Sequence, residues 1–278
     1  MRFLLMITTL FLFAGCNDSL DPDINIQENL IVVDGWIYND IEPTVIKVSR
    51  SVAFESPINS LPVSDATVVI RDTRQNLIRL IESSPGTYTS PDNAFGETGL
   101  SYQLVITLAD GNIYVSSFES LNPVPTIETL LLEPEVPEEL IEEIEPEFYF
   151  PVVFVDEFEE KGNFYRWRIA RNERFFNSPE DIILQTDRFV NGNLFKNEFK
   201  EYLYKVGDSS TVRIESLTEE AYNFLRFFRR QTTDLGTSGG TNPGALRGNI
   251  QNIDNPGEVV LGYFGASAVS MAGKTVEE

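Results

Sequence analysis

Cys16 is the only thiol in the chain, and its setting points to acyl chemistry. Arg2 precedes an apolar run over residues 3–13, and Ala14-Gly15 places small residues before the cysteine. That order is the order of a secretory signal. The run is shorter than the about 20 apolar residues that a membrane-crossing helix needs. Small residues before the cysteine suit a peptidase that cuts between Gly15 and Cys16, which would make Cys16 the new N-terminus. The other reading of a lone cysteine is a small apolar core residue. Carboxylates offer a second chemistry. Asp156 and Glu157 follow a strand-like run at 150–155 and are the pair to inspect for acid–base hydrolysis, against the reading of a solvated strand end. Trp36 and Trp167 offer a third, a flat aromatic face for a sugar ring, although both lie in strand patterns that would bury them.

The chain contains no histidine. Ser-His-Asp and Cys-His activation, histidine zinc ligation and imidazole bases are excluded, which leaves carboxylate, lysine and tyrosine chemistry. Lys and Arg number 21 against 43 Asp and Glu, a net charge of −22. Loss of residues 1–15 removes only Arg2 among the charged side chains, so the count becomes 20 against 43 and the net charge −23. Such a chain repels phosphate backbones and anionic headgroups at long range, which excludes nucleic acid as a partner. Attachment to a lipid bilayer then falls to acyl chains on Cys16, at about 0.8 kcal/mol per buried methylene and more than one chain for a stable anchor. Residues 133–147 hold eight glutamates and three prolines but no glycine, so they lack the turn of a calcium loop. The Gly-rich stretch 237–244 lacks the Gly-Lys-Ser/Thr of a phosphate loop and reads as a loop. No cofactor or metal is expected.

At 42% hydrophobic and 12% aromatic residues, the chain holds material for one large or two modest cores. Residues 1–15 read as the signal peptide and 16–28 as an acidic tether. Residues 29–125 read as a β-sandwich, with strand-like runs at 30–38, 44–48, 66–72, 102–107 and 113–118 and a hairpin signal at Asp110-Gly111. Pro85-Gly86-Thr87-Tyr88, with the run at 96–102, resembles transthyretin-like modules. Residues 126–148 read as an acidic Pro/Glu linker, with one helical turn near 138–143.

Residues 149–272 read as a β-rich domain. Strands are expected at 150–155, 164–170 and 211–215. Asn191-Gly192 marks a hairpin between 187–190 and 194–195, and closing strands at 250–253 and 258–264 flank Asn255-Pro256-Gly257. A helix is expected near 217–231. Ser216 and Glu219 have capping-box spacing, and Thr218 is a second cap candidate. Ala221, Phe224, Leu225 and Phe228 share one face, either core or a partner groove. Residues 273–278 read as a tail. The expected fold class is mainly β: an N-terminal immunoglobulin- or transthyretin-like β-sandwich followed by a β-rich domain with one packed amphipathic helix.

In bacteria, the segment ending at Cys16 resembles the lipobox, with Phe13 where Leu is usual. The run 17–23 resembles the surface-export signal of Bacteroidetes lipoproteins, beside its plain reading as a solvated spacer. Asp18-Ser19-Leu20 resembles the O-glycosylation sequon of the same phylum. The C-terminal run 247–267, with Gly248-Asn249, Asn255-Pro256 and Leu261-Gly262-Tyr263-Phe264, carries the widest likeness. With Cys16, Val33-Asp34-Gly35-Trp36-Ile37 and Leu217-Thr218-Glu219-Glu220-Ala221-Tyr222, it resembles the Bacteroidetes lipoprotein family called domain of unknown function 4249. The likeness covers nearly the whole mature chain. That family has no established activity, and its members are often encoded beside TonB-dependent outer-membrane receptors. Many members continue into a tail with paired cysteines, where this chain has only 273–278. The resemblance implies an outer-membrane lipoprotein at the cell surface or periplasmic face, anchored through Cys16. It would be a non-catalytic accessory or binding component beside a TonB-dependent receptor in nutrient uptake. The alternatives are a structural or adhesive surface protein and a carboxylate-based hydrolase.

Overall fold

A computed structural model describes residues 29–52, 60–136, 146–189, 192–233 and 246–277. The strands in chain order begin with β1 (Ile31–Tyr38), β2 (Val45–Arg50), β3 (Leu61–Pro62), β4 (Thr67–Asp72) and β5 (Leu77–Ser84). Next come β6 (Thr87–Thr89), β7 (Ser101–Thr107), β8 (Ile113–Ser116), β9 (Glu119–Ser120) and β10 (Ile127–Pro134). The second half opens with β11 (Tyr149–Asp156), β12 (Phe164–Arg171), β13 (Arg174–Phe175), β14 (Ile183–Thr186) and β15 (Leu194–Glu198). It continues through β16 (Ser209–Leu217), α1 (Glu219–Thr233), β17 (Ile250–Asn252), β18 (Leu261–Ser267) and β19 (Val269–Thr275). The fold is mainly β with one long helix, as expected.

One 11-stranded sheet runs β17-β8-β7-β4-β5-β6-β2-β1-β18, with β3 on β2 and β9 on β7. β5 belongs to both layers. Its residues 77–80 pair with β4 and its residues 81–84 pair with β6, so the sheet folds over on itself there. The two layers share a core that includes Val33 and Ile37 of β1, Val68 and Ile70 of β4, Leu104 and Ile106 of β7, and Phe264 of β18. Alternation sends every second residue of β1 into that core. The opposite face of β1 carries Asp34, Trp36 and Tyr38, and it meets the second half of the chain.

That half pairs β10-β11-β15 in one sheet and β13-β12-β16-β19 in another, with β14 on β12. Tyr165, Trp167, Ile169, Val212 and Ile214 pack from the larger sheet against Val153, Val155 and Phe195 of the smaller. α1 follows β16 directly. Thr218 is the cap, since its Oγ1 accepts the Ala221 N–H at 3.1 Å. Ser216 is occupied elsewhere: its hydroxyl donates to Asn122 O and accepts the Ala268 N–H. Ala221 and Leu225 are the buried helix residues, packed with Leu217 and Tyr263, so the first half of the stripe is core.

Four expectations are corrected. First, β17 and β18 do not complete a domain over 149–272. They join the first sandwich, where β18 pairs with β1 in parallel. A parallel pair needs a long crossover, and the intervening second sandwich supplies it. Second, the described parts of 126–148 do not form an interdomain linker. β10 runs through Glu133 and Pro134 and pairs antiparallel with β11, and Glu135 N–H donates to Phe148 O at 2.8 Å beyond the ladder. The helical turn expected near 138–143 lies outside the described residues, as does the Gly-rich stretch 237–244. Third, among the described residues 187–189 do not pair with 194–195. Asp187–Phe189 is a 3₁₀ turn, and β15 pairs with β11. Gly192 follows that turn at φ +67°, and Asn191 lies outside the described residues. Fourth, the tail expected from 273 begins inside β19, and Val276 is buried against the second core.

Candidate functional site

β12 buries Tyr165, Trp167 and Ile169 on one face, so Arg166 and Arg168 point to the other. β16 repeats the pattern with Val212 and Ile214 against Arg213 and Glu215. Register sets Arg166 beside Glu215 and Arg168 beside Arg213. These four charges face the outer side of β1. Glu215 is fully buried, with ion pairs to Arg166, to Arg213 Nε at 2.9 Å and to Arg168 Nη1 at 3.8 Å. The Arg213 Nε–H lies off the axis to that oxygen, and Arg213 Nη2 has no hydrogen-bond partner among the described residues. Arg213 Nη1 instead pairs with Asp40 at 3.1 Å.

Arg166 Nη2 donates to Tyr38 Oη at 3.0 Å, and the Arg213 guanidinium lies 4.3 Å over the Tyr38 ring. Burial alone would raise the Glu215 carboxyl. The charges of Arg166, Arg213 and Arg168 overcome it and hold the carboxyl below its ordinary range. Burial, with Glu215 adding, pushes the Tyr38 phenol up to about 12. The two halves are thus joined by a largely buried ionic seam.

Beside the seam lies a cleft of about 560 Å³ between β1, β2 and the 3₁₀ turn Pro179–Asp181. Arg166, Arg168, Lys47, Phe176 and Phe228 line it together with Trp36. Arg168 is the arginine with the most access, its side chain 27% exposed, held by Asn177 Oδ1 at 3.0 Å and lying 4.5 Å over Phe175.

Trp36 reaches this cleft, but its ring is already sandwiched. It leans over Gly265 of β18, where an added Cβ would fall 2.2 Å from ring carbons. From the facing strand, Arg166 covers it at 4.4 Å. Trp36 therefore borders the cleft without a free face for a sugar ring. Trp167 is 1% exposed, donates Nε1–H to Gln185 Oε1 at 2.7 Å and packs on Phe199, so it is core. A second hollow of about 690 Å³ adjoins it between β14, β15 and the end of α1, yet Trp167 offers that hollow no accessible face. Cys16 lies outside the described residues.

Asp156 and Glu157 do not converge: Asp156 is exposed and Glu157 is buried. Glu157 Oε1 accepts the Tyr165 hydroxyl at 2.6 Å, while Oε2 is buried without a hydrogen-bond partner among the described residues. Burial raises the Glu157 carboxyl more than that bond lowers it, and the charge of Asp187 adds to the rise. Neither residue lines the cleft. A second buried carboxylate, Glu119, accepts from Tyr263 Oη at 2.7 Å, Thr218 Oγ1 at 2.7 Å and Asn249 Nδ2 at 3.0 Å. All three donors are neutral. Burial therefore leaves this carboxyl above its ordinary value despite their bonds. Among the described residues no group of three or more Cys, Asp or Glu side chains is placed to hold a metal ion.

The signs combine into one pH dependence. Glu119 and Glu157 bind protons more tightly folded than unfolded, so their contribution is lost as pH rises from the ordinary carboxyl range through their raised values. Glu215 behaves oppositely, and its contribution is lost on acidification below that range. The urea midpoint at pH 5 should therefore exceed that at pH 7. Glu157→Gln, which keeps an acceptor for Tyr165, should reduce the difference. A midpoint that rises steadily to pH 7 in both proteins would contradict this account.

Arg166, Arg168, Arg213 and Glu215 were not singled out by sequence reasoning. Their signal was the charge at every second position of two strands, a pattern that also describes a solvated face. Comparison with curated proteins gives no match. Residues 17–272, which include the β1 face, the ionic seam and the β17–β18 return, match the family described as Domain of unknown function (DUF4249), and the chain belongs to that family.

Proposed function

We propose that the protein is a lipid-anchored accessory protein of the outer membrane, at the cell surface or periplasmic face. In this reading it binds a ligand in the cleft and works beside a TonB-dependent receptor in nutrient uptake, without catalysing a reaction. The observation that carries the binding role is the cleft's construction. Its wall is fixed before a ligand arrives, because Arg166 is already held by Glu215 and Tyr38. A preformed wall lowers the ordering cost of binding. Arg168, Lys47, Phe176 and Phe228 remain in a lining of mixed charge that also carries Asp34, Glu42 and Asp181. The signal-like segment ending at Cys16 supports the anchor, and the family resemblance supports the receptor.

Purification of the full chain from native membranes tests each half. The expected result is an acylated Cys16 peptide, a co-purified TonB-dependent receptor, and a bound small-molecule mass that Arg168→Gln loses in native mass spectrometry. An unmodified Cys16 peptide would sink the anchor. Acylated protein recovered alone, from cells that make the receptor, would sink the partnership.

A further inference from the structure

We propose that the cleft takes a short peptide of about four residues with both ends free, its carboxylate at Arg168 and its ammonium at Asp34. The inference rests on the reading of the cleft as a ligand site and names what enters it. Asp34, Trp36 and Tyr38 follow one another along the outer face of β1, and all three line the cleft. Arg166 lies over Trp36, in the middle. The charge of Asp34 acts on Arg166, whereas that of Arg168 acts on Tyr38, so Asp34 and Arg168 belong to opposite ends. The step from Asp34 to Tyr38 covers about 13 Å, at about 3.3 Å per strand residue. An extended peptide of about four residues covers the same distance.

Half of the cleft's charges are already committed. Arg166 is held by Glu215 and Tyr38. Asp181 accepts the Ser178 N–H at 2.7 Å with one oxygen and the Tyr202 hydroxyl at 2.9 Å with the other. Glu42 lies 4.0 Å from Arg213. Asp34 and Lys47 stand directly opposite each other in the β1–β2 ladder, and neither side chain makes a hydrogen bond or ion pair among the described residues. Arg168 approaches Glu215 only to 3.8 Å. The groups left for a ligand are thus a guanidinium at one end and a carboxylate beside an ammonium at the other. A peptide matches them. Its C-terminal carboxylate suits Arg168, its ammonium suits Asp34, and an acidic first side chain suits Lys47. Between the ends, Val45 lies opposite Trp36 in the ladder and is 40% exposed, an apolar wall for a middle side chain. A simple anion would meet Asp34 as a like charge, and a simple amine would meet Lys47 and Arg168.

The test is native mass spectrometry of the full chain with tetrapeptides that begin with glutamate and are otherwise mixed. Free-ended peptides should bind. Acetylation of the N-terminus should weaken binding about tenfold or more, and so should amidation of the C-terminus. Each substitution should then cancel one of these responses. Asp34→Asn should lose the response to acetylation and keep the response to amidation, and Arg168→Gln should do the reverse. A general loss of structure would weaken every peptide alike and could not give that crossed pattern. The capping comparison on the unsubstituted chain stands whether or not either variant folds. Equal binding of capped and free peptides, or binding of none of them, would overturn the proposal. A small molecule without peptide bonds, recovered with the chain from native membranes and lost in Arg168→Gln, would also overturn it, while leaving the cleft a ligand site.

Discussion

Glu215→Ala should destabilise the fold by about 3–5 kcal/mol, because breaking a buried ion pair strands its partner charges. Glu215 is fully buried and Arg213 is 3% exposed. Arg166 and Arg213 would lose the carboxylate between them; Arg213 is almost shut off from solvent, and Arg166, with 12% of its side chain exposed, reaches it only along the cleft. Arg168 is more open, with 27% of its side chain exposed. The loss should be read as a drop in urea midpoint and should change little with salt, because buried pairs are poorly screened. A combined Arg166→Met, Arg213→Met, Glu215→Leu protein should recover much of the stability, since an apolar replacement removes the desolvation penalty along with the attraction. A loss under about 1 kcal/mol in Glu215→Ala would mean that water already shares the seam.

Gly262→Ala should be worse, at more than about 4 kcal/mol. Gly262 sits at φ +87°, opposite Val33 in the β1–β18 register. An added Cβ would fall 1.9 Å from Val33 O, with more Val33 backbone inside 3 Å. Gly248 closes from another direction, since its own Cβ would fall 1.4 Å from Gly262 O. Backbone cannot rotate away as a side chain can, so the strand pair has to open. Soluble yield should collapse, or the urea midpoint should fall far below that of the parent. Gly257→Ala is the control. Its nearest neighbour is Asn255 Oδ1 at 3.7 Å, and it should stay within about 0.5 kcal/mol. Parent-like stability in Gly262→Ala would mean that β18 is not seated against β1 as described.

Local order was the part legible in sequence. Strand-like runs rich in apolar and β-branched residues marked β1, β4, β7 and β12, alternation marked β16, Asp110-Gly111 marked the β7–β8 turn, and Thr218 with Ala221 and Leu225 marked the helix. Pairing over distance was not. Leu261-Gly262-Tyr263-Phe264 reads as a strand, but nothing in its own pattern says that its neighbour is Val33 and not Thr211. The glutamates of 133–147 suggested a spacer, because composition reports solvation and not whether the flanks pair. The charges on β12 and β16 went unread for a related reason. Alternating Arg and Glu normally mean water on one side, whereas here the outer face of β1 takes water's place. The tryptophans were legible as strand residues. That Gly265 and Arg166 cover Trp36 needed the third dimension.

The return of β18 to β1 also bears on how the chain is made. A ribosome delivers residues in order, so β1 and β2 emerge early while their closing strand comes almost last. Until then β1 presents an unpaired edge with Val33 and Ile37 beside it, the kind of edge that recruits other chains. Contacts this remote in sequence also form slowly. A newly delivered chain therefore passes through a long interval in which the first sandwich is built but unsealed. Protection by a holding chaperone matters most in that interval, before the seam around Glu215 can lock the two halves together.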